Sequence, residues 1–308
     1  MPTLDRRPGQ PFGRPVWQHR AVRHVYECPM RWADMDLLGH VNNVVYVDYL
    51  QEARVDMLRT HGPAAQTGEL AEGVVVVRHE VHYRAPLSFR FRPVSIECWV
   101  TEIRAASFTL AYEVFHETDD GRRVYLEATT VLTPYVFSTE RPRRLKPEEK
   151  SALETFLEPR EPERGPGRTE SRHDKLGHYP VHVRFSDVDV YGHVNNVKYF
   201  EYFMEARILM TARLWKGMPE GTPEPAMVVA QTDVDYKLPI LFRPEPYDAW
   251  SWISRVGDRS MTIESEICDG DTVLSRARVA MVFFDPKTGR AAAPPEAYRK
   301  RLLGVVAG

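Results

Sequence analysis

One polar phrase is written twice in this chain. "DMDLLGHVNN" (Asp34 to Asn43) and "DVDVYGHVNN" (Asp187 to Asn196) lie 153 positions apart. At the same offset "RWADMDLLGHVNNVVYVDYLQEAR" (Arg31 to Arg54) lies over "RFSDVDVYGHVNNVKYFEYFMEAR" (Arg184 to Arg207). Further on, "VHYRAPLSFR" (Val81 to Arg90) lies over "VDYKLPILFR" (Val234 to Arg243), and Trp99 over Trp252. An internal repeat of this length means that each copy builds the same structural unit. The 308 residues therefore divide into an arm (1–20), a first unit (21–147), a linker (148–175) and a second unit (176–308). The arm, "MPTLDRRPGQPFGRPVWQHR", is rich in Pro, Gly and Arg and is expected to be flexible. It lacks the apolar core of a secretion signal. The linker holds "EPREPERGPGRTESRHDK", preceded by a short helical piece around Glu148 to Leu157.

Both units read alike. A short strand (about Tyr26 to Trp32; Tyr179 to Phe185) stops at the DxD. One long helix follows, with Asn43 or Asn196 placed to cap it through a short amide oxygen. Tyr46, Tyr49, Leu50, Ala53 and Met57 recur at helical spacing, as do Tyr199, Tyr202, Phe203, Ala206 and Met210, so this helix is expected to be buried. Four strand-like runs come next, with "ETDDGRR" as a hairpin turn. The expectation is α+β: a long buried helix wrapped by an antiparallel sheet, made twice.

Bulk properties remove several function classes. Lys and Arg number 41 against 43 Asp and Glu, a net charge of −2, which gives no basic footprint for nucleic acid. No apolar run approaches the roughly 20 residues of a membrane helix. Cys28, Cys98 and Cys268 are widely spaced and read as buried free thiols in a reducing, cytoplasmic setting.

The repeated phrase concentrates the chemistry. Residues i and i+2 of a strand share a face, so Asp34 and Asp36 are expected to point the same way. Gly39 permits a tight turn, and His40 and Asn42-Asn43 then stand at the helix start. Free N–H groups there form an anion site beside a carboxylate that can act as base or nucleophile. Turn-making and capping alone use the same residue types. The two units differ freely around the phrase, however, and keep Asp, Asp, Gly, His and both Asn in each. A metal site is disfavoured because no second His or Cys lies at ligand spacing, so neither metal nor cofactor is assigned. There is no GxSxG, no phosphate loop, and no Cys common to the two units.

Strand, DxDxxGHVNNxxY phrase, buried helix and four strands together resemble the hotdog-fold acyl thioesterases of the 4-hydroxybenzoyl-CoA thioesterase type, over nearly all of both units. The resemblance implies hydrolysis of acyl-CoA, or acyl-ACP, to free acid. The essential carboxylate is then the Asp three residues before the turn glycine: Asp36 and Asp189. The phrase "HVNNxxY" is also similar to plant-type acyl-ACP thioesterases, whose D-x-N-x-H set is matched at its ends by Asp36 and His40 and by Asp189 and His193. Leu38 and Tyr191 replace its middle Asn. On this reading Asp36, His40, Asn43, Asp189, His193 and Asn196 are the catalytic candidates, with general-base and nucleophilic routes both open. Tyr46 and Tyr199, with Tyr49 and Tyr202, are candidates to line an acyl slot. By resemblance, Arg104 and Arg259 are candidates for CoA contact. Glu52 with Arg54, and Glu205 with Arg207, read as structural ion pairs. The resemblance further implies that the two units pair within the chain, with sites at their junction and both copies working. A further homo-oligomer is left open. Two other functions remain beside hydrolysis: an acyl-CoA binding or sensing module, and a hotdog acyl-CoA hydratase or dehydratase.

Overall fold

In the computed structural model, residues 22–62, 73–160, 167, 169–219 and 221–307 are described. The expected flexible arm, 1–20, lies outside them, as does part of the linker. The first unit runs β1 (His24–Cys28), α1 (Val45–His61), β2 (Val74–Tyr83), β3 (Val94–Ile103), β4 (Phe108–Thr118), β5 (Gly121–Val136), β6 (Arg141–Pro142) and α2 (Pro147–Glu154). The second repeats it: β7 (His178–Val181), α3 (Asn196–Trp215), β8 (Ala226–Tyr236), β9 (Tyr247–Val256), β10 (Ser260–Asp269), β11 (Thr272–Asp285), β12 (Arg290–Ala291) and α4 (Glu296–Ala307). The closing helix α4 was not foreseen from the sequence. It matches α2, and the two bury Leu302 and Leu153 respectively.

The two antiparallel sheets are joined into one. The main path is β1-β3-β4-β5-β2-β8-β11-β10-β9-β7. The junction is the β2–β8 pair, from Arg78↔Asp235 to His82↔Gln231. An ion pair between Arg78 and Asp235 crosses it. The helices form because their apolar residues recur at the predicted spacing. Tyr46, Val47, Tyr49, Leu50, Ala53, Met57 and Leu58 are all buried along α1. Leu50 and Ala53 are wholly inaccessible, so Leu50→Ala would remove its transfer energy and leave a cavity, costing about 2–5 kcal/mol. Gly62 ends α1 by turning to extended backbone while its N–H still bonds Leu58 O at 2.9 Å.

The first strands are shorter than the alternation suggested. β1 and β7 end before the motif, and 3-10 turns (Trp32–Asp34; Phe185–Asp187) carry the first Asp of each pair. The expected shared face for Asp34 and Asp36 is therefore lost. All three cysteines are free and buried.

Buried titratable groups give the fold a pH dependence. Burial, and secondarily the Arg54 charge, hold the His79 imidazole well below its ordinary 6.5. Burial also lowers His24 and His116. Burial alone would raise Glu97 and Glu149, but hydrogen bonds from Arg122 and Arg23, and from Arg143, outweigh it and hold both below 4.5. Every one of these folded-state values is depressed, so the folded protein binds fewer protons than the unfolded chain. The stability they supply is present at neutral pH and is lost as pH falls, first below 6.5 for the histidines and then below 4.5 for the carboxylates. Thermal unfolding followed from about pH 8 to pH 3 should show Tm falling in those two stages. A Tm that is flat between about pH 7 and pH 5 would refute the histidine part.

Candidate functional site

The turn that carries the second Asp is built identically in both units. Asp36 N–H donates to His40 O at 2.8 Å and Asp189 N–H to His193 O at 2.8 Å. The chain reverses between them, with Gly39 at φ +76° and Gly192 at φ +82°, a conformation that other residues enter at a cost of about 1 kcal/mol or more. Within each loop the Asp Oδ1 accepts two backbone N–H groups. For Asp36 these are Leu38 at 2.8 Å and His40 at 3.4 Å; for Asp189 they are Tyr191 at 2.9 Å and His193 at 3.3 Å. This fixes one carboxylate oxygen in the loop, and Oδ2 takes no hydrogen bond from a described residue. A half-buried carboxylate with one oxygen anchored and one free is suited to base or nucleophile chemistry.

The first Asp of each pair does something different. Asp34 is 3% exposed and accepts the Tyr49 hydroxyl at 2.5 Å and the Arg31 backbone N–H at 2.7 Å. Asp187 is bound likewise by Tyr202 at 2.7 Å and Arg184 N–H at 2.9 Å. These carboxylates tie the turn to the helix. They also engage Tyr49 and Tyr202, which are therefore core braces and not walls of an acyl slot.

The caps differ from the sequence expectation. Asn195 Oδ1 accepts from Val197 N–H at 3.1 Å and caps α3, whereas Asn42 Oδ1 accepts from the N–H of Val44, the residue that precedes α1, at 3.2 Å and α1 has no side-chain cap. The helices begin at Val45 and Asn196. The second Asn is thereby released from capping. The Asn196 side-chain N–H2 is fully buried with no hydrogen-bond partner. The backbone carbonyl of Asn196 accepts the Tyr236 hydroxyl at 2.8 Å, as the backbone carbonyl of Asn43 accepts that of Tyr83 at 2.7 Å, which pins each helix start to the central strands.

A cavity of about 570 Å³ opens beside the second motif. Asp189, Tyr191, His193, Asn195, Asn196 and Tyr199 line one side of it. The other side comes from the first unit: Arg54, Val55 and Leu58 of α1, Val74 to Val77 of β2, and Tyr135 and Phe137 beyond. Phe137 stacks flat on Tyr191, centroids 3.6 Å apart, and closes the rim across the junction. Tyr199 accepts the Ile240 N–H at 2.9 Å, which fixes its ring as a cavity wall. Burial raises the phenols of both Tyr46 and Tyr199, which stay neutral.

Other candidates lie elsewhere. Arg104 pairs with Glu102 at 2.9 Å and lines a separate groove on the outer face of the first unit's sheet. Arg259 is exposed in the β9–β10 turn. Neither reaches the motif cavity. Arg54 and Arg207 are buried while Glu52 and Glu205 are exposed, and no ion pair joins them. The repeated ExR spacing signalled a shared constraint, but its partner was misjudged. Among the described residues, the one cluster of three metal-type ligands is His173, Glu266 and Cys268, on the outer face of the second sheet and away from either motif.

Fold and site together define a tandem hotdog protein with a carboxylate-bearing turn at the junction of its units. The model of the thioesterase-like superfamily matches residues 30–153 and 183–302, one segment in each unit, and the chain belongs to that superfamily. It is 32% identical over 128 residues to the uncharacterized protein YsmA of Bacillus subtilis, spanning 40% of this chain and 82% of that protein. Its fold is similar to that of a Lactobacillus plantarum protein described as an oleoyl thioesterase (TM-score 0.69, 17% identity, covering 87% of this chain and 98% of the other). It is also similar to a 12:0-ACP thioesterase of Umbellularia californica (TM-score 0.65, 15% identity, 85% and 94%).

Proposed function

We propose that this chain hydrolyses acyl thioesters, of coenzyme A or of acyl carrier protein, at the cavity beside Asp189. The observation that carries this reading is the pairing of an anchored carboxylate with an unpartnered amide donor at the start of a buried helix, in a cavity whose far wall belongs to the other unit. Membership of the thioesterase-like superfamily supports it.

The geometry suggests the following course. The thioester carbonyl oxygen lies against the Asn196 side-chain N–H2 and the first-turn N–H groups of α3, which stabilise negative charge as it develops. Asp189 Oδ2 takes a proton from a water whose oxygen forms the new bond to the carbonyl carbon. The C–S bond then breaks, the thiolate leaves, and the proton passes to it, giving free acid and thiol. In the nucleophilic variant the same oxygen attacks first and water later opens the mixed anhydride. His193 borders the reacting space, and its N–H helps hold the Asp189 loop. The Asp36 turn, with His40 and Asn43, has the same local geometry and serves a second site of the same kind.

Release of free thiol from a panel of acyl-CoAs tests the reading. Thiol release with turnover supports it. Loss of enoyl absorbance without thiol would instead mark a hydratase, and saturable binding with neither would mark a sensor. Because Asp34 is committed to Tyr49 and Arg31, the motif does not gather its carboxylates and His40 around one point. Turnover is therefore expected to survive dialysis against EDTA. Loss that one divalent ion restores would overturn the assignment of Asp189 as a metal-free base.

A further inference from the structure

Arg54 is anomalous in this cavity. It is 6% exposed, projects from α1, and lines the same space as Asp189 and Asn196 of the opposite unit. Its Nη1 is buried and has no hydrogen-bond partner, and no ion pair engages the side chain. A guanidinium cannot discharge itself by losing a proton at ordinary pH. Withdrawing one from water without an anion costs several kcal/mol. A further buried polar atom, Nε2 of His79, is also open. The Arg54 charge also bears on the His79 imidazole. Natural interiors leave few such atoms unanswered. A buried guanidinium that lines a cavity with its Nη1 unanswered describes a receptor for an anionic hydrogen-bond acceptor.

Position says which part of a substrate would supply it. Asp189 is half-buried and next to the exposed Tyr191, so the reacting end is near the rim. Arg54 is buried, so it stands at the inner end. The lining includes the apolar Val55, Leu58, Val74, Val76 and Leu132, and its other charged members, Glu140 and Lys237, are exposed. We infer that the acyl group bound here carries a carboxylate at its far end, separated from the thioester by an apolar spacer, and that Arg54 receives that carboxylate. The inference rests on thioester hydrolysis at the Asp189 motif. Arg and carboxylate meet through paired, charge-assisted N–H···O bonds, which gives direction as well as attraction. Arg207 holds the matching place on α3 and is also buried. Here the Arg207 guanidinium is pulled down to about 10 by burial, the mark of a cation with too little anionic company.

The test compares CoA thioesters of equal chain length ending either in methyl or in carboxylate, with free thiol as the readout. For the wild-type protein, kcat/KM is expected to favour the carboxylate-ended series by about 10²-fold, because a site built around a buried polar group rejects the analogue that leaves it unpaired. Arg54→Met should collapse that ratio by at least about tenfold, and Arg54→Lys should retain part of it, since charge survives and the planar fork does not. Thiol release from methyl-ended substrates with equal or poorer use of carboxylate-ended ones would overturn this inference and leave hydrolysis standing. No thiol release from either series would overturn the hydrolytic reading itself. The wild-type ratio is informative without any variant, so a poorly folding Arg54→Met does not blunt the test. A wild-type preference that Arg54→Met leaves unchanged would assign the carboxylate to another receptor.

Discussion

Asp189→Asn is expected to lower kcat/KM for thioester hydrolysis at its own cavity by about 10²-fold or more, leaving only the turnover of the Asp36 site, while the fold stays intact. The substitution keeps shape and keeps an Oδ1 able to accept the N–H groups of Tyr191 and His193, so the turn has no reason to open. It removes the charge and basicity of the free oxygen. Loss of an essential base commonly has an effect of this size. Asp36→Asn should be milder. Its turn is built the same way, but the 570 Å³ cavity and the Phe137–Tyr191 rim belong to the Asp189 motif. Leu38 stands where Tyr191 does, and it makes no such stack. The double variant should be inactive. The measurement is thiol release for each single and double variant, beside circular dichroism melts. If Asp36→Asn alone abolishes turnover, the working site is the other one. If the double variant runs at the wild-type rate, both carboxylates are turn residues and no more.

The fold was legible because the chain states it twice. Two copies of one helical face and one set of strands left little freedom, and α1, α3 and the strands of each unit lie where the apolar spacing put them. The misses were local or distant. Locally, alternation ran on past Cys28 and Val181, where 3-10 turns take over, so the DxD pair was read as strand and its two carboxylates as neighbours on one face. One residue of slip in the helix start exchanged the roles of Asn195 and Asn196. An Asx cap and a free carboxamide have the same composition, and only backbone direction separates them. Distantly, no spacing in the first unit could show that Arg54, Val55 and Leu58 wall the second unit's motif. That arrangement depends on β2 pairing with β8, a contact made about 150 positions along the chain. Arg54 was visible as a repeated residue, but whether its charge is answered can be seen only where it is buried.

The two aspartates of the phrase should separate cleanly in experiment. Asp34→Ala and Asp187→Ala are expected to destabilise the protein by about 3 kcal/mol each, with Tm falling several degrees. Each removes an acceptor from a buried tyrosine hydroxyl and from a backbone N–H, at 2.5 and 2.7 Å for Asp34 and at 2.7 and 2.9 Å for Asp187. The hydroxyls of Tyr49 and Tyr202 are then left unpaired in a site that water does not reach, which costs more than the net worth of the bonds themselves. The arginine contacts contribute less, because Arg31 and Arg184 are about two-thirds exposed and solvent screens them. Tyr49→Phe should fall between wild type and Asp34→Ala, since it deletes the donor and leaves Asp34 its backbone partner. Below its lowered Tm, Asp187→Ala should retain most of its hydrolytic rate, whereas Asp189→Asn should lose rate at unchanged Tm. A stable but inactive Asp187→Ala would reverse these assignments and move the reacting carboxylate two residues toward the N-terminus.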